Sequence, residues 1–158
     1  MRLILLSLAI SILAGCAGLV PADRNLDSMF TYDYSVPGRT QTEIWKSARD
    51  YFAGTFGDSR AVWRVMDEMD GTLIGQGIAG WDLLGHYCLS NYHIRFAAKD
   101  NKARLQFEII DGVPAGSPCV AWPWPSQNGY DSMAADFIKT SKAVHEVLSG
   151  STKSLKDF

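Results

Sequence analysis

The sequence predicts an α+β protein in which two helices cover one face of a five-stranded, mostly antiparallel sheet. Segments with strand-like alternation and segments with helical periodicity follow one another in the order β-α-β-β-β-β-α. Two short turns, Asp70-Gly71 and "KDNK" at 99–102, join consecutive strand segments as hairpins, whose strands run antiparallel. Two amphipathic helices can cover one face of such a sheet and leave the other face in water.

The composition is that of an ordinary globular protein, and it excludes one class of function. Of the 158 residues, 47% are hydrophobic and 20% are charged, which suffices for a hydrophobic core without a metal or dense disulfides. The formal net charge is −2, and no basic block is present. The positive surface that nucleic-acid binding requires is missing, so we expect no nucleic-acid partner.

The first residues have the features of a signal peptide. Met1 and Arg2 form a short positive region, Leu3 to Leu13 is apolar, and the box "LAGC" ends at Cys16. The apolar run is shorter than the about 20 residues that a membrane span needs. The box resembles the lipobox of bacterial lipoproteins, and this resemblance implies that Cys16 is lipidated after cleavage. The alternative is an ordinary secretory signal in which Cys16 has no role.

The resemblance to lipoproteins also implies a location and a division of the chain. An aspartate directly after the lipidated cysteine favours the inner membrane, and Ala17 stands there instead. We therefore expect a cell-envelope protein anchored in the outer membrane and facing the periplasm. The predicted segments are a signal peptide at 1–15, a lipidated tether at 16–28, one α+β domain at 29–150 and a tail at 151–158. The twelve residues 17–28 reach at most about 40 Å when extended.

The domain begins with a strand and a helix. In "FTYDYSV" at 30–36, aromatic and apolar residues alternate with polar ones, which is typical of a half-buried strand that Pro37-Gly38 then ends. Thr40 and Glu43 have the spacing of a capping box. Apolar residues recur every four positions behind this box, so the sequence predicts an amphipathic helix. These residues are Ile44, Ala48, Phe52 and Phe56.

Four strand segments and a second helix complete the predicted domain. The strands are "AVWRVMDE" from 61, "TLIGQGIA" from 72, "YCLSNYHIRFAA" from 87 and "ARLQFEIIDGV" from 103. The stretch 116–129 is irregular and contains "WPWP". Helical periodicity then predicts a helix from about Asp131 to Ser149, with Gly150 suited to its C-terminal cap.

Two segments resemble a bacterial family, the domain of unknown function 4468. They are "YDYSVPGRTQTEIWKSARDYFAGTF" and "MDEMDGTLIGQGI". The shared pattern is a strand ending in Val-Pro-Gly, a helix rich in aromatic residues and a Gly-rich second hairpin strand, within roughly residues 30–113. The resemblance implies a TBP-like fold. It brings no catalytic residue, activity or cofactor, and we expect none.

Two cysteines remain for the mature domain, and we expect a Cys88–Cys119 disulfide in the oxidising envelope. If a turn centres near Asn101, antiparallel counting places Cys88 opposite roughly Val113, a few residues before Cys119. Free thiols, or a catalytic or metal-binding role together with His86, are the alternatives. A nucleophile needs a base and an orienting group, and a zinc site needs four ligands. The sequence offers neither set, so no catalytic residue and no metal ligand are predicted.

Two further groups of residues have ordinary structural explanations. Gly75 and Gly77 lie inside a strand segment, where close approach of the first helix explains them better than a phosphate loop does. The acidic residues Asp67, Glu68 and Asp70 fall at a hairpin tip and are expected to be solvated turn residues rather than paired catalytic carboxylates.

Two functional hypotheses follow. The first is a non-enzymatic binding module that holds another envelope component on the open face of its sheet or on the "WPWP" loop. The second is a carrier of a small ligand or lipid, with a pocket between helix and sheet. Packing of the tryptophans on their own domain is the alternative to a binding role. The candidate binding residues are Trp122, Trp124, Leu89, His93 and Arg95.

Overall fold

The computed structural model describes residues 20–56 and 61–150 and confirms the predicted α+β order. Its elements are β1 (Met29–Ser35), α1 (Gln41–Thr55), β2 (Ala61–Asp67), β3 (Thr72–Leu83), β4 (His86–Lys99), β5 (Lys102–Ile110) and α2 (Gln127–Leu148). The predicted signal peptide at 1–15, the lipidation site Cys16 and the predicted tail at 151–158 lie outside the described residues.

The five strands form one sheet in the order β1-β5-β4-β3-β2, and every neighbouring pair is antiparallel. Strands β2 to β5 form a meander, whereas α1 carries the chain from β1 at one edge to β2 at the other. The β4–β5 register runs from Asn91 opposite Ile110 to Lys99 opposite Lys102. This is the register that counting from a turn near Asn101 predicts.

Both helices cover the same face of the sheet, as predicted. Helix α1 packs mainly on β4, and α2 packs mainly on β3. The Phe52 ring of α1 meets Phe96 at a centroid distance of 6.1 Å. On α2, Phe137 stacks on Phe107 at 4.4 Å. The buried residues of helices and sheet form one hydrophobic core.

Helix α1 begins with the predicted capping box. The Glu43 amide donates to Thr40 Oγ1 at 3.4 Å, and the Thr40 amide donates to Glu43 Oε2 at 2.8 Å. The β4–β5 turn adds a third cap, because Gln41 donates its amide to Asp100 Oδ1 at 2.7 Å. This bond joins the start of the helix to one end of the sheet.

Helix α2 begins at Gln127, earlier than the predicted Asp131. Ser126 is its N-cap and accepts from the Gly129 amide at 3.1 Å. Glycine disfavours helix formation by itself, but a Cβ atom at Gly129 would lie 2.6 Å from the Trp81 ring. Close packing of the first helical turn on β3 therefore favours a residue that local propensity disfavours.

Strands β3 and β4 are longer than predicted and form a hairpin that sequence analysis did not identify. Leu83 pairs with His86, and the two residues between them, Leu84 and Gly85, have φ angles of 52° and 82°. Two successive positive φ values are typical of a type I′ hairpin turn. The turn was not recognised in the sequence because asparagine or aspartate usually occupies the position of Leu84.

Residues 20–28, predicted as part of a tether, pack on the domain instead. Pro21 forms a β-bridge with Ser126, and the Ala22 amide donates to Pro125 O at 3.0 Å. Farther along, Asp27 O accepts from the Tyr130 hydroxyl at 2.9 Å. The partners come from distant positions in the sequence, and for this reason local periodicity does not reveal the contact.

Across 20–56 and 61–150, neither helix combines the length and apolar character needed to cross a membrane.

Candidate functional site

A groove of about 430 Å³ lies between the two helices and one part of β3. Strand β2 pairs with β3 only over Thr72–Gly77. In the part of the chain that the structure describes, Ile78–Leu83 therefore have no partner strand on that side. The groove opens beside this unpaired segment, and both helices contribute to its walls.

Aromatic side chains form the floor of the groove. Tyr92 and Phe107 rise from the sheet, and Phe137 descends from α2. Ring centroids lie 5.2 Å apart for Tyr92 and Phe137 and 5.8 Å apart for Tyr92 and Phe107. All three side chains are buried, so the floor is rigid and apolar.

The Tyr92 ring also explains one of the strand glycines. A Cβ atom at Gly77 would overlap this ring. For Gly77 the prediction that α1 approaches the strand was therefore wrong, because the Tyr92 ring occupies the space over this glycine. Gly75 and Gly77 lie within a paired strand and do not open a helix, so they do not form a phosphate loop.

Polar groups line the rim of the groove. Tyr51 and Thr55 come from α1, whereas Lys139 and Thr140 come from α2. The Lys139 side chain is exposed, and among the described residues it forms no ion pair. The groove thus combines an aromatic floor with a rim of hydroxyl groups and two opposite charges, those of Lys139 and Asp136.

The opposite face of the sheet is open, since no described element covers it, and its charges pair with one another. Arg104 donates to both carboxylate oxygens of Asp33 at 2.6 and 2.9 Å, and this guanidinium holds the pKa of Asp33 below its usual range. Arg95 donates to Glu108 Oε2 at 3.0 Å. His93 Nδ1 lies 3.4 Å from the same oxygen.

The structure brings some of the predicted binding residues together. His93 and Arg95 meet at Glu108 on the open face. Leu89 lies farther along β4, where its amide donates to Ser117 Oγ at 3.1 Å. These three residues therefore do not form one cluster.

The predicted disulfide is present, with the Cα atoms of Cys88 and Cys119 5.4 Å apart. It attaches the irregular segment after β5 to the start of β4. Trp122 meets Trp81 edge-on at 6.3 Å. Trp124 is buried, and the Arg24 guanidinium lies over its ring at 5.6 Å. The two tryptophans thus pack on their own domain, and Trp124 is not available as a surface contact.

The acidic turn has the structure of a solvated hairpin tip. Asp67 Oδ1 accepts from the Asp70 amide at 3.0 Å, and Glu68 pairs with Lys46 at 3.0 Å. Within residues 20–56 and 61–150, no group of three or more histidine, cysteine, aspartate or glutamate side chains could hold a metal ion.

Sequence reasoning did not identify the groove residues. Tyr51 and Lys139 lie on different helices, and neither residue belongs to a recognisable sequence motif. Helical periodicity indicates which side of each helix is buried, but it does not reveal how far apart two helices lie. No motif marks these positions, so only the packed structure identifies them.

Comparison with known proteins gives both a family match and structural neighbours. The model of a family described as a domain of unknown function (DUF4468) with TBP-like fold matches residues 30–111. A DUF4468 family protein from Bacteroides ovatus ATCC 8483 is 17% identical, with a TM-score of 0.54 over 84% of this chain and 91% of that one. A TBP-like protein from Parabacteroides distasonis ATCC 8503 is 10% identical, with a TM-score of 0.56 over 76% and 91%. Identities this low show a shared fold. No curated protein matches the chain.

Proposed function

The chain belongs to the DUF4468 family of domains with a TBP-like fold, and from this premise we propose that it is a lipid-anchored envelope protein that binds a small amphipathic molecule. The groove between the helices is the observation that supports this proposal. Its volume of about 430 Å³ lies in the range of roughly 300–1,000 Å³ that is common for small-molecule sites. An aromatic floor with a few polar groups at the rim is also common in such sites.

The lining of the groove suggests the class of ligand. An apolar or aromatic body would contact Tyr92, Phe107 and Phe137 on the floor. A polar group would remain at the rim, within reach of Thr55 or Thr140, and a negative charge there would be attracted by Lys139 but repelled by Asp136. The proposed ligand is therefore a small molecule with an apolar body and a polar end. We assign it no chemical transformation.

The two surfaces first considered for a protein partner offer weaker support. The "WPWP" loop packs on its own domain through Trp122 and Trp124. The charges of the open sheet face satisfy one another, as the Asp33–Arg104 pair illustrates. A partner would have to compete with these contacts, whereas the groove offers an apolar floor with polar groups at its rim.

Binding of a fluorescent probe tests the proposal. 8-Anilinonaphthalene-1-sulfonate has an aromatic body and one negative charge, and we expect it to bind the mature protein saturably, with one site per chain. Ala143 lines the groove and is half-buried, so Ala143→Trp should fill the groove and weaken probe affinity by about tenfold or more, a loss of about 1.4 kcal/mol.

A matched control lies on the same helix. Ala135 is exposed and does not line this groove, so Ala135→Trp should leave probe affinity unchanged. Lys139→Gln should weaken the anionic probe more than the neutral probe N-phenyl-1-naphthylamine. Absence of saturable binding, or equal affinity in the Ala143 and Ala135 variants, would contradict the proposed site.

A second candidate function is recognition of an envelope protein by the open face of the sheet. The observation that favours it is the size of this face, which no described element covers. Five strands spaced about 4.8 Å apart give a width of roughly 24 Å, enough for one side of a standard interface of about 800 Å² per partner. The proposed partner carries charges that complement Arg104 and Asp33.

Exchanging the charges of Asp33 and Arg104 tests this second function without a large effect on the stability of the domain. The double variant Asp33→Arg/Arg104→Asp keeps the pair but reverses the surface pattern. Because both side chains are largely exposed, the unfolding free energy should change little. Cross-linking to a defined partner in the intact envelope should be lost. Unchanged cross-linking in the double variant would exclude the open face.

A further inference from the structure

The chain enters the folded domain at the end of the sheet where β3 turns into β4. Val20 O accepts from the Gln127 amide at 3.0 Å at the start of α2. Two residues later, Gly129 lies so close to Trp81 that a Cβ atom would come within 2.6 Å of its ring. Trp81 stands three residues before Leu84 in the β3–β4 turn, so Val20 and this turn lie at the same end of the molecule.

Large apolar side chains are exposed at this end. Leu84 is 75% exposed, Val120 78% and Val20 56%. Tyr87, which also lines the groove, is 61% exposed. The Cys88–Cys119 disulfide holds Val120 near the turn of the β3–β4 hairpin, since Cys88 lies close to this turn and the two cysteine Cα atoms are 5.4 Å apart. We call this set of four residues the apolar end. Solvent exposure of such side chains is unfavourable, and four of them close to the start of the folded domain point to a contact surface.

The position of Cys16 suggests what covers the apolar end. Four residue steps separate Cys16 from Val20, and an extended chain spans at most about 3.6 Å per residue. The chain therefore cannot place Cys16 farther than about 14 Å from Val20. Because residues 20–28 pack on the domain rather than extending as a tether, Cys16 is also tied closely to the domain. If Cys16 carries lipid, the membrane surface lies at the same short distance.

We propose that the apolar end rests on the bilayer that holds the lipid anchor, with Leu84, Tyr87, Val120 and Val20 in its interfacial region. This inference depends on the lipid anchoring that is part of the proposed function. Anchoring alone would leave the domain free to rotate, whereas the proposed contact gives it one orientation. The opposite end, with the acidic β2–β3 turn, would point away from the membrane.

Burial of apolar side chains, rather than charge, would maintain the contact. Asp23, Asp82 and Asp131 are exposed near this end, and Arg24 is already paired with Asp111 at 3.0 Å. Anionic headgroups would therefore gain little attraction. We expect contact with zwitterionic phosphatidylcholine vesicles, and raising the salt concentration should not release it.

Site-specific fluorescence in vesicles tests the inference. The mature lipidated protein would be reconstituted in phosphatidylcholine vesicles, with an NBD label on Leu84→Cys. The matched control is Met69→Cys, because Met69 is 92% exposed and lies at the other end of β3, roughly 40 Å away for twelve residues. The Leu84 label should show blue-shifted emission and several-fold weaker quenching by aqueous iodide than the Met69 label.

The outcomes separate the inference from the anchoring on which it depends. Vesicle flotation measures anchoring, and a protein that fails to float would overturn both. A protein that floats but shows equal iodide quenching at both labels would overturn the membrane-facing orientation and leave the anchoring intact. Val120→Cys provides a second label at the apolar end, and it should repeat the Leu84 result.

Discussion

At the scale of single residues, a few polar side chains connect elements that lie far apart in the sequence. The Arg39 guanidinium donates to Leu148 O at 2.8 Å and to Ser47 Oγ at 2.6 Å. It thereby joins the end of α2 to the first half of α1. The Tyr34 hydroxyl connects β1 to α2 by donating to Ser141 Oγ at 2.9 Å. Such contacts fix the spacing of the two helices, and this spacing defines the groove.

The disulfide makes the largest contribution that we assign to one pair of residues. It closes a loop with a sequence separation of 31, so the double variant Cys88→Ala/Cys119→Ala should lose about 3–4 kcal/mol of unfolding free energy in the chain-entropy model. Urea denaturation with and without reductant measures this loss. Reductant should destabilise the wild type and leave the double variant unchanged. Two free thiols in the purified native protein would contradict the prediction.

Tyr34 should make stability depend on alkaline pH. Burial of the hydroxyl raises the pKa of Tyr34 to about 12, although the hydrogen bond to Ser141 lowers this pKa in part. Because the folded pKa lies above the ordinary value of about 10, the unfolded state releases its proton first. The stabilising contribution is complete below pH 10 and is lost as the pH rises towards 12.

The variant Tyr34→Phe tests this dependence by urea denaturation from pH 7 to 12. It should be less stable than the wild type by about 1 kcal/mol at pH 7, since Ser141 loses a hydrogen-bond donor. Its stability should also fall less steeply above pH 10. Tyr87→Phe alters an exposed side chain and serves as the control. Parallel pH profiles for wild type and Tyr34→Phe would contradict the assignment.

At the scale of elements, the two helices begin for different reasons. Helix α1 begins at a cap in its own sequence, whereas the start of α2 depends on tertiary contacts. Helix α1 begins at a capping box within its own sequence, and Asp100 adds a cap from the sheet. Helix α2 begins directly after its N-cap Ser126, where the bridge to Pro21 and the packing of Gly129 on Trp81 hold the first turn in place. The start of α1 can therefore be predicted from neighbouring residues, whereas the start of α2 depends on the assembled domain.

Loss of the capping box should destabilise the domain moderately. Thr40→Ala removes the side-chain acceptor of the first turn of α1 and should lower the unfolding free energy by about 1 kcal/mol. Thr42→Ala is the matched control, because Thr42 is exposed in the same turn and should have little effect. Thermal and urea denaturation measure both variants. Equal losses in the two variants would argue against a capping role for Thr40.

At the scale of the whole molecule, the domain has two faces and two ends with different properties. One sheet face holds the helices and the groove, and the other carries paired charges. One end carries the exposed residues Leu84, Val120 and Val20, and the other carries the β2–β3 turn with its acidic residues and the exposed Met69. This polarity fits a protein attached to a surface by one end, with its groove accessible from the side.

Lipid attachment at Cys16 is the prediction that belongs to this scale. Cys16→Ser should leave the protein without the mass of the acyl chains, and it should be unprocessed or soluble. Intact-mass measurement and fractionation of the envelope test both effects, with Gly18→Ser as a neighbouring control that should behave like the wild type. A Cys16→Ser protein that keeps the mass shift and the membrane association would show that the anchor lies elsewhere.

Sequence alone determined the order of the elements, the capping box at Thr40 and Glu43, and the register that brings Cys88 towards Cys119. These features follow from periodicity, cap spacing and a four-residue turn, which depend on neighbouring residues. The family pattern within residues 30–111 is likewise a local order of motifs.

Only the tertiary structure decided the docking of residues 20–28, the burial of Trp124 and the groove between the helices. Each depends on contacts between distant segments, such as the Ala22 amide with Pro125 O. Periodicity indicates that a surface is buried but not which segment buries it. The distance between Tyr51 and Lys139 across the groove is set by core packing, so it has no signature in either helix alone.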